Sequence, residues 1–578
     1  MTEWIYPPAP HPDLVSALAL QLSTRERFPH QLAGLLVQRG IDDFSKARGY
    51  LKPDLADLHP PEQMRGMDQA VDRILRAMRN EEKILIYGDY DVDGTTSVAL
   101  MQRFFAVCGY DFPYYIPDRY TEGYGISYQG VDFAANNGVG LVIALDCGTK
   151  AVDKLRYARA KGIDYIVVDH HTPGDELPPV VAMLNPRHPD CGYPFKELPA
   201  CGLALKLAQA VVRRLHNFPA EFPLPPDFDP VGEYADLVCL SVACDIVPLT
   251  GENRILAYHG LRKLRKAPSP GLKALMDLAE FAREWNVSDL VFFLGPRINS
   301  AGRLGSARDA VRLLLGRGND LPEFAAQLHA YNDERKKLDA EITQEALEMI
   351  ARDPEEICRK STVLYHPAWH KGVIGIVASR LIERHYRPTI LLTRAGEKLV
   401  GSGRSVSGFD LYAALEACSG KLVQFGGHKY AAGLTLDPAQ FINFREQFEA
   451  EVSGRIQPEQ EVPRIRIAAD LAFREINPRL IRLIRRFGPF GPANGEPVFV
   501  ARDVEVVEVR ILKEEHVRFL LRQHGASFEA IGFSLAYRWQ EIDGLRLDIA
   551  YQPAFKTWKG RTYIQLKIKD IKPATSSD

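Results

Sequence analysis

The chain has 578 residues, 46% apolar and 25% charged, as expected of a globular protein with about three or four domains. With 72 basic and 74 acidic residues the net charge is −2, so a nucleic-acid site has to come from local segregation of charge, not overall basicity. Eight cysteines without a C-x-x-C pair, a Pro-rich start with no basic-then-apolar leader, and no bilayer-length apolar run argue against a zinc ribbon, secretion and membrane function, and point to a reduced cytoplasmic compartment.

Residues 1–50 read as a short N-terminal adaptor without visible chemistry. Residues 51–320 form the first α/β domain. MDQAVDRILRAMRN has apolar residues at helical spacing, KILIY (83–87) is a buried strand, TTSVALMQRFFAVCG a helix and FPYYI a strand. LVIAL (141–145), a helix near 151–161 and IDYIVV (163–168) continue the alternation. It predicts a mostly parallel sheet flanked by helices, with ligands beyond the carboxyl ends of the strands. The Pro-rich segment 217–230 is a surface connection, and 321–353 is one long connector helix with a largely charged surface. Residues 354–453 form a second, smaller α/β domain. Residues 454–464 read as a polar linker opening the last domain, 454–578, whose short strands predict a small β-barrel or sandwich with a disordered tail, PATSSD.

Three strand ends carry the chemistry. KILIY runs into Asp89, Asp91 and Asp93, LVIAL into Asp146, and IDYIVV into Asp169, His170 and His171. Residues two apart share a face in extended chain, so the first three carboxylates converge if the strand runs on into its loop. A single Asp after a strand is commonly a helix cap; three such ends in register make that explanation inadequate. Carboxylates crowded at one sheet edge repel each other, and two divalent cations relieve the repulsion. Oxygen ligands with some imidazole suit manganese or magnesium, and a pair of such ions can activate water for phosphoester hydrolysis. Asp146 is the expected bridge. His170 and His171 are expected to point in different directions, so that one ligates metal while the other faces the scissile phosphate.

GDYDVDGTT, ALDCGT and VVDHH resemble the first three motifs of the DHH phosphoesterases. LVCLSVACDIVPL resembles the fourth, and GPRINSAGRLGSA (295–307) resembles a motif of the RecJ exonucleases. The resemblance covers about residues 50–570. It implies a two-metal centre of Asp91, Asp93, Asp146, His170 and Asp245, with Asp236 a competing choice for the last position. It further implies a single-strand-specific 5′→3′ DNA exonuclease of repair and recombination that releases 5′-mononucleotides, acts as a monomer and has single-strand-binding protein and a helicase as partners. One departure stands out. Many members of the wider superfamily carry a histidine four residues before the central aspartate of the first motif; here the residue is Tyr87, so either one metal loses a ligand or Asp89 substitutes.

For gripping the strand, the sequence offers Arg297, Asn299 and Arg303 in GPRINSAGR, His370 and Lys371 before a predicted helix, Arg404 in GSGRSVSGFD, and Gly426, Gly427 and His428 in QFGGHKYAAG. The last three segments, read as glycine-rich loops, resemble the DHH-associated domain, which implies a 5′-phosphate pocket. Trp558, among Lys556, Lys559, Arg561 and Tyr563, mixes an aromatic platform with cations, as does the basic run Arg482, Arg485 and Arg486; the resemblance implies an OB-fold here. Two other readings compete: a small-molecule phosphodiesterase or pyrophosphatase on the same motifs, and a scaffold that only binds DNA. The C-terminal β-domain argues against the first and the intact carboxylates against the second.

Overall fold

The structure, a computed structural model, describes residues 2–574 apart from 24–25, 219–220, 223, 281–282, 541, 543–545, 559 and the side chain of Trp558. Lys559 and the last four residues of the expected tail therefore lie outside the described residues. The chain forms two compact units, one of residues 48–333 with 486–496, the other of residues 1–47, 334–485 and 497–578.

The unit containing residues 48–333 is built on five parallel strands, β1 (Lys83–Gly88), β2 (Tyr114–Tyr115), β3 (Val139–Leu145), β4 (Asp164–Val168) and β5 (Ala182–Leu184), in the order β2-β1-β3-β4-β5. Their near-continuous apolar runs reflect burial on both faces. Ile84, Ile86, Ile143 and Val168 pack on one face, Leu85, Tyr87, Val142 and Val167 on the other. FPYYI contributes only two residues to the sheet. The order reverses between β1 and β3, and such a switch point opens a crevice at the carboxyl ends of those strands.

Helix α1 (Met67–Arg79) precedes β1, and α2 (Val92–Val107) follows it. Helices α3 (Ala200–Leu215), α4 (Pro230–Cys244) and α5 (Gly251–Lys266) share the core with the first sheet face. A buried ion pair, Lys206 Nζ to Glu252 Oε1 at 2.6 Å, ties α3 to α5, and the Tyr193 hydroxyl and His59 N–H complete the hydrogen bonding of that carboxylate. Next come a π-helical turn (Leu290–Leu294), α6 (Gly295–Leu304) and the long α7 (Leu321–Arg352).

The other unit holds a mixed sheet of β6 (Thr362–Tyr365), β7 (Thr389–Ala395), β8 (Lys398–Arg404), β9 (Gln424–His428) and β10 (Ala431–Leu436), in the order β9-β10-β8-β7-β6, with α8 (Ile374–Arg384) after β6 and α9 (Phe441–Arg455) after β10. GSGR and QFGGH are thus strands, not loops. Their glycines make room across the sheet: a Cβ at Gly401 would lie 2.8–2.9 Å from the Leu392 and Leu434 side chains. The C-terminal strands are β11 (Arg464–Asp470), β12 (Val498–Leu512), β13 (His516–Gln523), β14 (Ala526–Gly532), β15 (Arg546–Trp558) and β16 (Arg561–Pro573). The order β12-β13-β14-β16-β15, with β15 pairing back onto β12, closes a five-stranded barrel. Closure leaves these strands no free sheet edge over the paired length. Glu3–Ile5, three residues too short to read as a strand, adds in parallel to β11. The expected class therefore holds: a parallel α/β sheet, a long helix, a smaller α/β sheet and a C-terminal barrel.

Helices α4 and α5 approach closely at Gly260, where a Cβ would lie 2.2 Å from the Ala235 carbonyl. Gly260→Ala is expected to force them apart and lower stability by about 1–3 kcal/mol, measurable by denaturant unfolding.

Candidate metal centre

Strand β1 ends at Gly88, and the chain turns at once into α2. Asp91 is the cap of that helix, accepting the Gly94 N–H at 3.0 Å, and Asp93 stands in its first turn. The turn requires Gly94, since a Cβ there would lie 2.4 Å from the Asp89 carbonyl. The expectation that Asp89, Asp91 and Asp93 converge on an extended strand is therefore corrected. The helix divides them: Asp89 and Asp91 gather with Asp146, while Asp93 gathers with His170 and Asp245.

Asp146 ends β3 in a left-handed conformation (φ +62°) that aspartate tolerates better than most residues, and its N–H still bonds the Val168 carbonyl. Its Oδ1 lies 3.2 Å from His170 Nε2, and His170 Nε2 lies 3.6 Å from both Asp93 Oδ2 and Asp245 Oδ2. Asp146 and His170 thus join the two groups. Asp245 caps the end of α4. Asp236 is elsewhere: its carboxylate accepts the Ser269 N–H and hydroxyl at 2.7 Å, at the start of the short helix Pro270–Met276.

Both Asp89 oxygens, Asp146 Oδ1 and Asp245 Oδ2 are buried without a hydrogen-bond partner. Burial, reinforced by repulsion from neighbouring carboxylates, pushes Asp89, Asp146 and Asp245 well above the usual carboxylate range, and burial raises Asp93 too. Unsatisfied, repelling oxygens of this kind are costly unless cations occupy the space between them. The donor set of carboxylates and one imidazole fits hard divalent ions.

Other groups hold the ligands in place, and most of them are not legible from sequence. Asp93 accepts the Ala200 and Cys201 N–H groups at the start of α3 (2.7 and 2.9 Å) and the buried Ser241 hydroxyl (2.7 Å). Asp169 accepts the His171 Nδ1 contact at 2.7 Å, the His170 and His171 N–H groups and the Thr149 N–H. Burial alone would raise the Asp169 pKa, but the His171 hydrogen bond and the two imidazoles hold it below the usual range. Burial likewise opposes the charged form of His171, and the Asp169 hydrogen bond overcomes it and raises that pKa; His170 is lowered, chiefly by burial. Tyr124 places its hydroxyl 3.1 Å from His171 Nε2. Arg119 lies over the Tyr90 ring, and Arg187, paired with Glu197 at 2.6 Å, adds positive charge that acts on His170 and Asp245.

Tyr87 is no ligand. Its buried hydroxyl donates to the Gly125 carbonyl at 3.1 Å and accepts the Ser127 N–H.

Three family models match the chain: the DHH family N-terminal domain over residues 83–242, the DHHA1 domain over 359–454 and the RecJ OB domain over 467–570. The single-stranded-DNA-specific exonuclease RecJ of Bacillus subtilis is 35% identical over 568 residues, covering 97% of this chain and 70% of that protein. The chain belongs to the RecJ family. Among solved structures, RecJ of Thermus thermophilus in complex with Mn2+ superposes with a TM-score of 0.83 at 28% identity, covering 100% of this chain and 80% of that one. Its Mg2+ complex gives 0.76 at 27% identity, covering 99% and 79%.

The RecJ-like segment GPRINSAGR forms helix α6, not a loop. Arg297 is buried there, its guanidinium 3.5 Å from the Phe293 ring centre and bonded to the Phe293 carbonyl at 2.7 Å, so it holds the π-helical turn. Asn299 and Arg303 are half-buried on the same helix, which packs on the Tyr90 backbone through Gly302: a Cβ there would lie 3.0 Å from the Tyr90 carbonyl. In the other unit, Arg404 bonds Ser402 Oγ at 3.1 Å and lies over Gly375 in the first turn of α8, where a Cβ would meet its guanidinium at 2.9 Å. His370 Nδ1 accepts the Gly372 N–H just before that helix, and Lys371 is exposed. Gly426, Gly427 and His428 lie exposed on the edge strand β9, where their backbone pairs with β10. Trp558 ends β15, paired with Arg561.

Raised carboxyl pKa values set a sign for stability. Between about pH 4, where the unfolded chain ionises, and the raised folded values, the folded metal-free protein binds more protons, so stability falls as pH rises. Asp89→Asn is expected to raise the melting temperature of the chelator-treated protein at pH 8. Excess Mn2+ is expected to raise that of the parent, by about 2.7 kcal/mol of added stability at 100 times Kd, and that of the variant by less.

Proposed function

We propose that this chain is a single-strand-specific 5′→3′ DNA exonuclease that hydrolyses the phosphodiester at a two-metal centre and releases 5′-mononucleotides in DNA repair and recombination. The observation that carries the reading is the pair of ligand groups, Asp89–Asp91–Asp146 and Asp93–His170–Asp245, joined by the 3.2 Å contact of Asp146 with His170 and holding buried, unpartnered carboxylate oxygens. Asp89, Asp91 and Asp146 would hold one ion, and Asp93, His170 and Asp245, with Asp146 between, the other. When bound, two Mn2+ or Mg2+ ions supply a water of lowered pKa and charge stabilisation at the phosphoryl oxygens.

The chain's own residues provide the rest. Asp169 fixes the His171 ring through Nδ1, which leaves Nε2 beside the Tyr124 hydroxyl as the proton-bearing edge. In its protonated form, favoured by Asp169, His171 can hold the scissile phosphate or give a proton to the leaving 3′-oxygen. Asn299 and Arg303 on α6, and Arg404, His370 and Lys371 around α8, supply polar and cationic groups for the strand and its 5′-phosphate. The barrel, matched by the RecJ OB domain, supports a polynucleotide over a small diester. Single-strand-binding protein and a helicase as partners, cytoplasmic action and a monomeric state complete the proposal. Among the described residues no helix is long and apolar enough to cross a membrane.

The test is digestion of single strands labelled at either end, alongside blunt duplex, with Mn2+. The 5′ label is expected to appear first as mononucleotide while the duplex persists. His171→Ala is expected to lower kcat by about 10²–10⁴ and Asp146→Ala to abolish cleavage. Comparable duplex cleavage, or activity retained in Asp146→Ala, would refute the reading.

A further inference from the structure

Helix α4 ends at Cys244 and Asp245 caps it; the next residue, Ile246, is left-handed at φ +58°. Just past a helix end this conformation is usually supplied by glycine, because a Cβ crowds the adjoining carbonyl. A β-branched side chain suits it least. The fold does not recover the cost by burial: Ile246 is 67% exposed, while Val247 beside it is buried. Glycine would relax the backbone and forfeit little packing, so stability does not account for an isoleucine here.

Location does. Ile246 is one Cα step, about 3.8 Å, from Asp245, whose carboxylate stands 3.6 Å from His170 Nε2. Tyr124, 53% exposed, reaches the same group of residues through its contact with His171. Two exposed side chains with apolar surface thus adjoin residues of the centre, one as the chain neighbour of Asp245 in a costly backbone conformation and the other in contact with His171. Strain of this kind concentrates where function over-determines the structure.

We infer that Ile246 is a substrate-contact residue whose side chain packs against the base of the nucleotide at the scissile phosphate. The contact rests on the nuclease reading and deepens it. A base presents an apolar face whatever its identity, so such a contact tolerates any sequence.

The experiment compares the full-length parent, Ile246→Gly and Ile246→Val in melting, Mn2+ binding by calorimetry, and kinetics on 5′-phosphorylated single strands carrying a normal or a tetrahydrofuran abasic nucleotide at the 5′ end. Ile246→Gly is expected to melt no lower than the parent and bind Mn2+ equally, while kcat/KM falls about tenfold, mostly through KM. Ile246→Val should lose less. The abasic substitution should cost the parent about tenfold in KM and Ile246→Gly almost nothing, the coupling expected of groups in contact. A glycine variant with the parent's KM, a lowered melting temperature, or an undiminished abasic penalty overturns the contact while leaving the nuclease reading intact. A parent that does not cut single-stranded DNA overturns both.

Discussion

The structure depends on one electrostatic constraint: five carboxylates and an imidazole are brought together at the carboxyl edge of a parallel sheet, largely out of water, with several oxygens left unsatisfied. In low dielectric such a group is strongly repulsive, and protein elements hold it together in different ways. Asp91 is spent on a helix cap. Asp93 is gripped by the first N–H groups of α3 and by Ser241 of α4, so partial positive charge at a helix start offsets its burial. Asp146 adopts a left-handed backbone to turn off the end of β3. The buried Lys206–Glu252 pair and the close contact at Gly260 fix α5 against α3, which delivers the Ala200 and Cys201 N–H groups, and against α4, which delivers Ser241 and Asp245. Such a pair contributes little net stability but is costly to break, which suits a part whose role is placement.

The two adjacent histidines show how the same edge divides its labour. His170 has three carboxylates near Nε2 and a pKa lowered by burial, which keeps a neutral nitrogen available as a ligand. His171, its ring centre 4.6 Å from that of His170, is clamped by Asp169 and is raised. The two rings therefore stay side by side, and Asp169, which binds both backbone N–H groups and the His171 ring, holds the pair in place.

How much of this is legible in the sequence follows from range. The sheet, the long helix and the barrel are readable because periodicity and apolar runs are local, and the three strand ends because a parallel sheet aligns its carboxyl edge. The turn of 89–93 into helix escapes a reading by strand alternation, although Gly94 and the Asp91 cap are local signals. What supports the ligands is not readable: Ser241 is 148 residues from Asp93 and the pair meets only through packing. Arg297 sits in a polar-looking motif yet is buried against Phe293, since helical spacing of four puts the two on one face. The glycines of GSGR and QFGGH suggest loops, whereas they serve close packing and an edge strand.

Tyr87 shows what such a departure from a family pattern does physically. The side chain points to the second sheet face with Leu85, and its hydroxyl is occupied by Gly125 and Ser127. Ser127 in turn caps the following helix and donates to Glu122, which also accepts the Tyr115 hydroxyl. The segment so anchored carries Tyr124, the residue that meets His171. Tyr87 is thus an anchor for the segment whose Tyr124 meets the second histidine. On the proposed function Asp89 supplies the ligand that Tyr87 cannot: it is buried two residues further along the same chain turn, beside Asp91 and Asp146, with neither side-chain oxygen hydrogen-bonded. Carboxylate in place of imidazole adds negative charge to an already repelling group, so on the proposed function this centre demands cations more strongly than one with a histidine at that position.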